Sequence, residues 1–386
     1  MRARIIAMLC VASLFSTSYA ATNIPSNFNV YTINSSGTYL INGTVKGQYI
    51  DIKGSAANVI IRGVAGTNPT FQGKGYSGQA RSASHIRGGA SNSTLIENFK
   101  FVGKVGHNFM SLSGNGSKTI SNLTVINDTK AGAGAINPGP NSMVKNCTIN
   151  PHDDAIKITE KNSRAKNNTL TMDGNGAAIQ LGWGLRADGA IHYAENTTIR
   201  GYLKNNGQTN TNNNPGRAII GGIFENNVSD VKITGLDINM SSQHTGHYIK
   251  LRADRGATLQ DVLIEGVIRN NISVASHIKP VALSTGGGAK IKNITIDFNG
   301  KIKNSHVYKD AGVTGFTLVG GGGGGSSSSS SSGGGGGGEC SNNAQCHAIY
   351  DGNLQNGWTV LKCNTNSGVC RCKKGTTKAQ CAAVVK

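Results

Sequence analysis

A short run that begins with asparagine returns again and again along this chain, and it limits the fold more than any other feature. It reads NFKF from Asn98, NLTV from Asn122, NCTI from Asn146 and NNTL from Asn167, with starts 24, 24 and 21 residues apart. Further copies follow as NTTI at Asn196, GLDI at Gly235, DVLI at Asp261 and NITI at Asn293. A period in the low twenties, each copy a short β-run at a fixed turn, marks a solenoid whose coils stack on one another. Sustained helical periodicity is lacking, and Asn, Thr, Ser, Gly, Ile and Val dominate. The reading is an all-β, right-handed parallel β-helix over residues 21–319. Several of these asparagines lie in N-x-S/T sequons; an asparagine ladder at the turn is the simpler account of them.

The two ends differ in character from the solenoid. Residues 1–20, MRARIIAMLCVASLFSTSYA, carry two arginines, an apolar run and small residues at Ser18 and Ala20. That is the pattern of a secretory signal, and the apolar run is too short to span a bilayer. The expectation is an exported, soluble monomer with no membrane segment. Residues 320–338 are only glycine and serine, a flexible tether with a span of roughly 24 Å. Residues 339–386 then hold Cys340, Cys346, Cys363, Cys370, Cys372 and Cys381. In an exported chain, six cysteines so close together predict a disulfide module with up to three bridges, pairing open. A zinc module is the poorer reading, because no CxxC pair occurs. Such a module on a tether would hold the solenoid near an insoluble or charged polymer. Cys147 stands alone and reads as a small buried apolar residue.

Stacking brings chemistry together. Coils lie about 4.8 Å apart, so equivalent positions form columns. Counted from each repeat's asparagine, Asp128 falls at +6, Asp153 at +7, Asp154 at +8 and Asp173 at +6. Acids are scarce in this chain, at 19 against 38 Lys and Arg. The four aspartates are therefore the candidate catalytic group. Neighbours on a regular strand face opposite ways, so Asp153 and Asp154 need a turn or bulge to share a cleft, and Pro151 makes one plausible.

The segments DDAIKI from Asp153, AAIQLGW from Ala177 and GRAIIGG from Gly216 resemble, as a set, the dextranase and isopullulanase family of glycoside hydrolases. The resemblance covers about residues 120–260. It implies a pectin-lyase-like solenoid, related to the polygalacturonases, that hydrolyses polysaccharide internally. One carboxylic acid would protonate the leaving oxygen while another carboxylate activates water. Asp153 and Asp154 match the family's aspartate pair. The family's further aspartate would fall around Ala133 to Ala135, where no acid occurs, and Asp128 is the nearest substitute.

The formal net charge of +19 favours an anionic partner. Nucleic acid fits poorly, since stacking aromatics are sparse and the chain reads as exported. An acidic polysaccharide fits better, with His152, Lys157, Trp183, Arg186, Arg217, His247 and Lys250 as candidate substrate contacts. Hydrolysis needs no cofactor. A second hypothesis is a lyase acting on a uronate polymer, in which a base removes a proton and cations hold the carboxylate. HTGHYIKLR, from His244 to Arg252, would supply some of those groups, and Asp153 and Asp154 would hold Ca2+. A third is a glycan-binding adhesin without chemistry.

Overall fold

The computed structural model describes residues 21–74, 84–103, 108–127, 134–184, 192–205, 211–212, 217–320, 362–364 and 369–371. Among them, 29 strands join in one continuous sheet, and the chain is a parallel β-helix. Each strand pairs, in parallel, with the equivalent strand one coil later. Asn108–Leu112 pairs with Gly134–Asn137, Ser117–Ser121 with Ser142–Lys145, and Thr124–Asn127 with Thr148–Asn150. Three strands per coil give three faces. Face one continues through Ile156–Lys157, Ala177–Gly184, Ala218–Phe224, His247–Ala253 and Val281–Thr285. Face two continues through Ser163–Lys166 and His192–Glu195, and face three through Thr169–Gly174 and Thr198–Leu203.

Apolar side chains fill the tube in columns. Ile136, Ile156, Ile179, Ile220, Ile249 and Val281 lie in register along face one, all fully buried. Faces two and three alternate buried and exposed positions, as half-buried strands must. Face one is different: Ala218–Phe224 and His247–Ala253 are buried on both sides. On these two coils the outer side of face one is largely shielded, with Gly222, Ile223 and Arg252 half-buried.

The corner from face two to face three is built by one residue in the left-handed conformation. Asn98, Asn122, Asn146, Asn167 and Asn196 have φ of 64, 53, 55, 54 and 50°, and Gly235 has 62°. Side chains with a Cβ rarely adopt this conformation, and asparagine and glycine do so most readily. The Asn122 amide donates to Asn98 Oδ1 at 3.0 Å, tying adjacent coils. Asp261 and Asn293 are also left-handed, at 56 and 52°, but they do not continue this column. The register of Val231 with Val262, and of Val262 with Ile294, puts them at the other edge of face two. There they follow Asn141 and Asn162, whose φ are 52 and 57°. The same residue chemistry serves either corner, so sequence alone merged two columns into one.

Two buried groups brace the coils. Lys118 is 2% exposed, and its ammonium donates to the carbonyls of Gly114, Gly116 and Pro140 at 2.7–2.8 Å. Three donors meet three acceptors, which offsets the cost of burying the charge. Cys147 is free and buried, and burial pushes its thiol up to about 11. It behaves as an apolar residue, as expected.

The chain divides into two compact units, Met1–Gly323 and Gly324–Lys386. In the second, Lys362–Asn364 and Val369–Arg371 form an antiparallel pair with Cys363 opposite Cys370. Cys340, Cys346, Cys372 and Cys381 lie outside the described residues. No helix among those residues is long and apolar enough to cross a membrane.

Candidate functional site

Asp153 and Asp154 occupy the corner between Thr148–Asn150 of face three and Ile156–Lys157 of face one. The irregular backbone after Pro151 lets neighbouring side chains share one cleft, which a straight strand would forbid. The cleft, about 230 Å³ in volume, is lined by both aspartates, Gln180, Trp183, Arg217, Lys250 and Arg252 among others.

The two carboxyl groups have different surroundings. Asp154 is buried; it accepts the Ala177 N–H at 2.7 Å and pairs with Lys157 at 3.1 Å. For Asp153, burial and the adjacent Asp154 charge push the carboxyl up to about 7, against the pull of Lys157 and Arg217. Asp153 therefore keeps its proton to a far higher pH than an ordinary aspartate, which suits a general acid. The ammonium of Lys157 already sits on the carboxylate that a calcium ion bound by the pair would need.

Register explains how cations reach the pair. Ile156 faces Ile179 and Ala177 faces Ala218, so Gly176 and then Arg217 follow Asp153 along one column. Arg217 is anchored to the carbonyls of Lys204 and Gly174 at 2.7 and 3.1 Å. Gly176 has φ +71°, and a Cβ there would lie 2.3 Å from the Asp153 carbonyl carbon. Only glycine lets the next coil pass this close beneath the acidic corner. The Asn-Gly pair at Asn175–Gly176, just before the AAIQLGW motif, is the sequence signal for this turn.

The far wall comes from face one. The register slips between Gln180 and Gly182, a bulge of the kind that re-aims side chains beside active sites. Trp183 follows it, is 50% exposed and lines the cleft. Lys250 is nearly fully buried and donates to the Thr211 carbonyl; burial and Arg252 bring its amine down to about 7. His247 lies behind it. Its Nδ1–H donates to the Lys279 carbonyl at 2.7 Å, leaving Nε2 to face Lys250 Nζ at 3.4 Å. Burial and Lys250 hold His247 neutral, with its pKa down to about 3. Arg252 makes a two-pronged pair with Asp254 at 2.6 and 3.1 Å. His244 is a buried structural group that accepts the Leu203 N–H.

Asp173 is not with the pair. It lies one coil beyond His152, consistent with both falling at +6 from their asparagines, and is not among the cleft-lining residues. Its oxygens take His152 Nδ1 at 3.3 Å and the Tyr202 hydroxyl at 2.7 Å. A difference of one or two positions in offset separates this flanking stack from the cleft. Asp128 and Arg186 lie outside the described residues.

No protein-family model matches this chain, and no curated protein matches it either. The cleft is therefore interpreted from its own geometry.

Proposed function

We propose that the chain is an exported hydrolase that cuts polysaccharide internally, with Asp153 as general acid and Asp154 as the carboxylate that activates water. One observation carries this reading: two adjacent carboxyl groups open on one cleft while their surroundings differ. The pKa of Asp153 is raised to about 7, and Asp154 is ion-paired with Lys157. Pairs of titratable groups driven apart by their environments mark the acid and the base of a reaction. Trp183 offers an exposed flat face beside them, suited to a sugar ring. The resemblance of DDAIKI and AAIQLGW to the dextranase and isopullulanase family supports the same chemistry. The test is incubation with neutral and acidic polysaccharides while reducing ends are followed. Release of new reducing ends without ultraviolet absorbance is the expected result. No release from any glycan of the panel overturns the proposal.

A second reading has its own observation. Lys250 presents an amine brought down to about 7 in the same cleft, between His247 and Arg252. A neutral amine beside a guanidinium is what β-elimination on a uronate requires. That reaction would add absorbance from an unsaturated uronate to the reducing ends, so one assay separates the two.

A further inference from the structure

Several coils beyond the cleft, on its C-terminal side, the edge of face one carries exposed cations. Face one's leading column runs from Asn108 to Gly134 and Asp154, then on to Ala177, Ala218, His247, Lys279 and Ser305. The neighbouring column carries Ser111 and Asn137 before Lys157. Both columns are uncharged for two coils on either side of the acid pair, through Gly134 and Asn108 or Ala177 and Ala218 in the first, and through Asn137 and Ser111 or Gln180 and Gly221 in the second. Cations enter on the C-terminal side from the Asp153 column and from coils farther on. Arg217 lies two coils from Asp153 and donates to the Lys204 carbonyl, while the Lys204 ammonium lies 5.3 Å over the Tyr202 ring. Lys279 lies four coils from Asp154, about 19 Å along the axis. Its ammonium donates to the Ser305 carbonyl at 3.0 Å, and Lys303 and His306 are close enough to act on one another's charge together with Lys279. Lys204, Lys279 and Lys303 are exposed, and no ion pair is recorded for them among the described residues.

Folding does not require such a row, because exposed like charges repel one another. We infer that the substrate is a polyanion, an acidic polysaccharide, whose chain lies along face one from the Asp153–Asp154 corner towards Lys279 and Lys303. The anionic groups, carboxylates or sulfate esters, contact Arg217 near the cleft and Lys279 and Lys303 at the far end. This inference rests on the hydrolase reading for the identity of the cut bond, but not for binding. The spacing sets the size of the ligand: an oligosaccharide too short to bridge the coils between Asp154 and Lys279 reaches only one end of the row.

The experiment measures binding separately from turnover. Full-length protein carrying Asp153→Asn is titrated with polygalacturonate, a sulfated dextran, neutral dextran and single-stranded DNA, with and without Lys279→Gln and Lys303→Gln. Both lysines are exposed, so the substitutions leave the core untouched. Tight, salt-sensitive binding of one acidic glycan is expected, weakened about tenfold by the double substitution, in keeping with two partly screened ion contacts. Polygalacturonate and sulfated dextran distinguish carboxylate from sulfate. Equal affinity for neutral dextran overturns the inference, as does an unchanged affinity in the double variant. Preference for DNA over both acidic glycans also overturns it. If acidic glycan binds as expected but wild-type protein cuts none of it, the hydrolase reading fails and the binding row stands. If wild-type protein cuts neutral dextran best, the row fails and the hydrolase reading stands.

Discussion

Two corners of the same solenoid follow opposite rules. Between faces two and three, the turn is two residues long in coil after coil, Asn98–Phe99, Asn122–Leu123, Asn146–Cys147, Asn167–Asn168 and Asn196–Thr197. Between faces three and one, the connection changes every time: five residues at Pro151–Ala155, two at Asn175–Gly176, 14 at 204–217, and six at Ser241–Gly246. The regular corner satisfies its backbone with one left-handed residue and an amide ladder. The irregular corner gathers two carboxyl groups, a left-handed glycine and the Arg217 guanidinium. A stack that is regular on two faces can carry insertions on the third edge, since each coil needs only its neighbours for support. The asparagine ladder is concentrated at one corner and the paired carboxyl groups at the other.

The largest effect that tests this contrast is on turnover. Asp153→Asn and Asp154→Asn should each lower kcat on the cleaved glycan by a factor of hundreds or more, as loss of a general acid or base does. Most of the thermal stability should survive in both. A fully active Asp153→Asn protein sinks the assignment of the acid.

Substitution at the regular corner should show the reverse pattern. Asn122→Ala places at φ of 53° a residue without the polar side chain that favours the left-handed conformation, and it breaks the bond to Asn98, at a cost of about 1–2 kcal/mol. Asn122→Gly should cost less, and kcat should stay at the wild-type level in both. Gly176→Ala tests the opposite corner: the added methyl meets the Asp153 carbonyl carbon, so stability and activity should fall together. Denaturant melts alongside steady-state rates check all three.

The pH response sharpens the comparison further. Asp153 holds its proton more firmly folded than unfolded, with its pKa raised from 3.8 to about 7. Between those values the folded chain binds the extra proton, so this group's effect is to lower stability as pH rises through that window. Asp153→Asn should therefore melt higher than wild type at pH 8 and show no such gain below pH 4. Wild-type activity should decline above about pH 7, as the acid loses its proton. A wild-type rate that climbs through pH 8 contradicts Asp153 as proton donor.

The smallest effect concerns Trp183. Removing its ring in Trp183→Ala should raise KM by about two- to tenfold, the scale of one ring contact, with little change in melting temperature because half the side chain is exposed. A large drop in melting temperature would instead mark the ring as packing.

The asparagine run by itself determined the coil, its approximate period and the turn residue, because tolerance of the left-handed backbone belongs to the residue and needs no partner. It also singled out DDAIKI, since two adjacent acids stand out in a basic chain. What the repeat could not determine was which residues meet across coils on face one. Counted from their asparagine or glycine, Asp154 is at +8, Ala177 at +10, Ala218 at +22 and His247 at +12, yet they occupy one column. Each insertion before face one resets the count, so equal offsets stop meaning equal positions once the chain has passed face three. That is why Arg217, distant in sequence, arrives beside the acid, whereas Asp173 meets His152 at the equal offset of +6 because no insertion intervenes between them and their asparagines. Hydrogen bonding between strands decides register there, and only the stacked coils supply it.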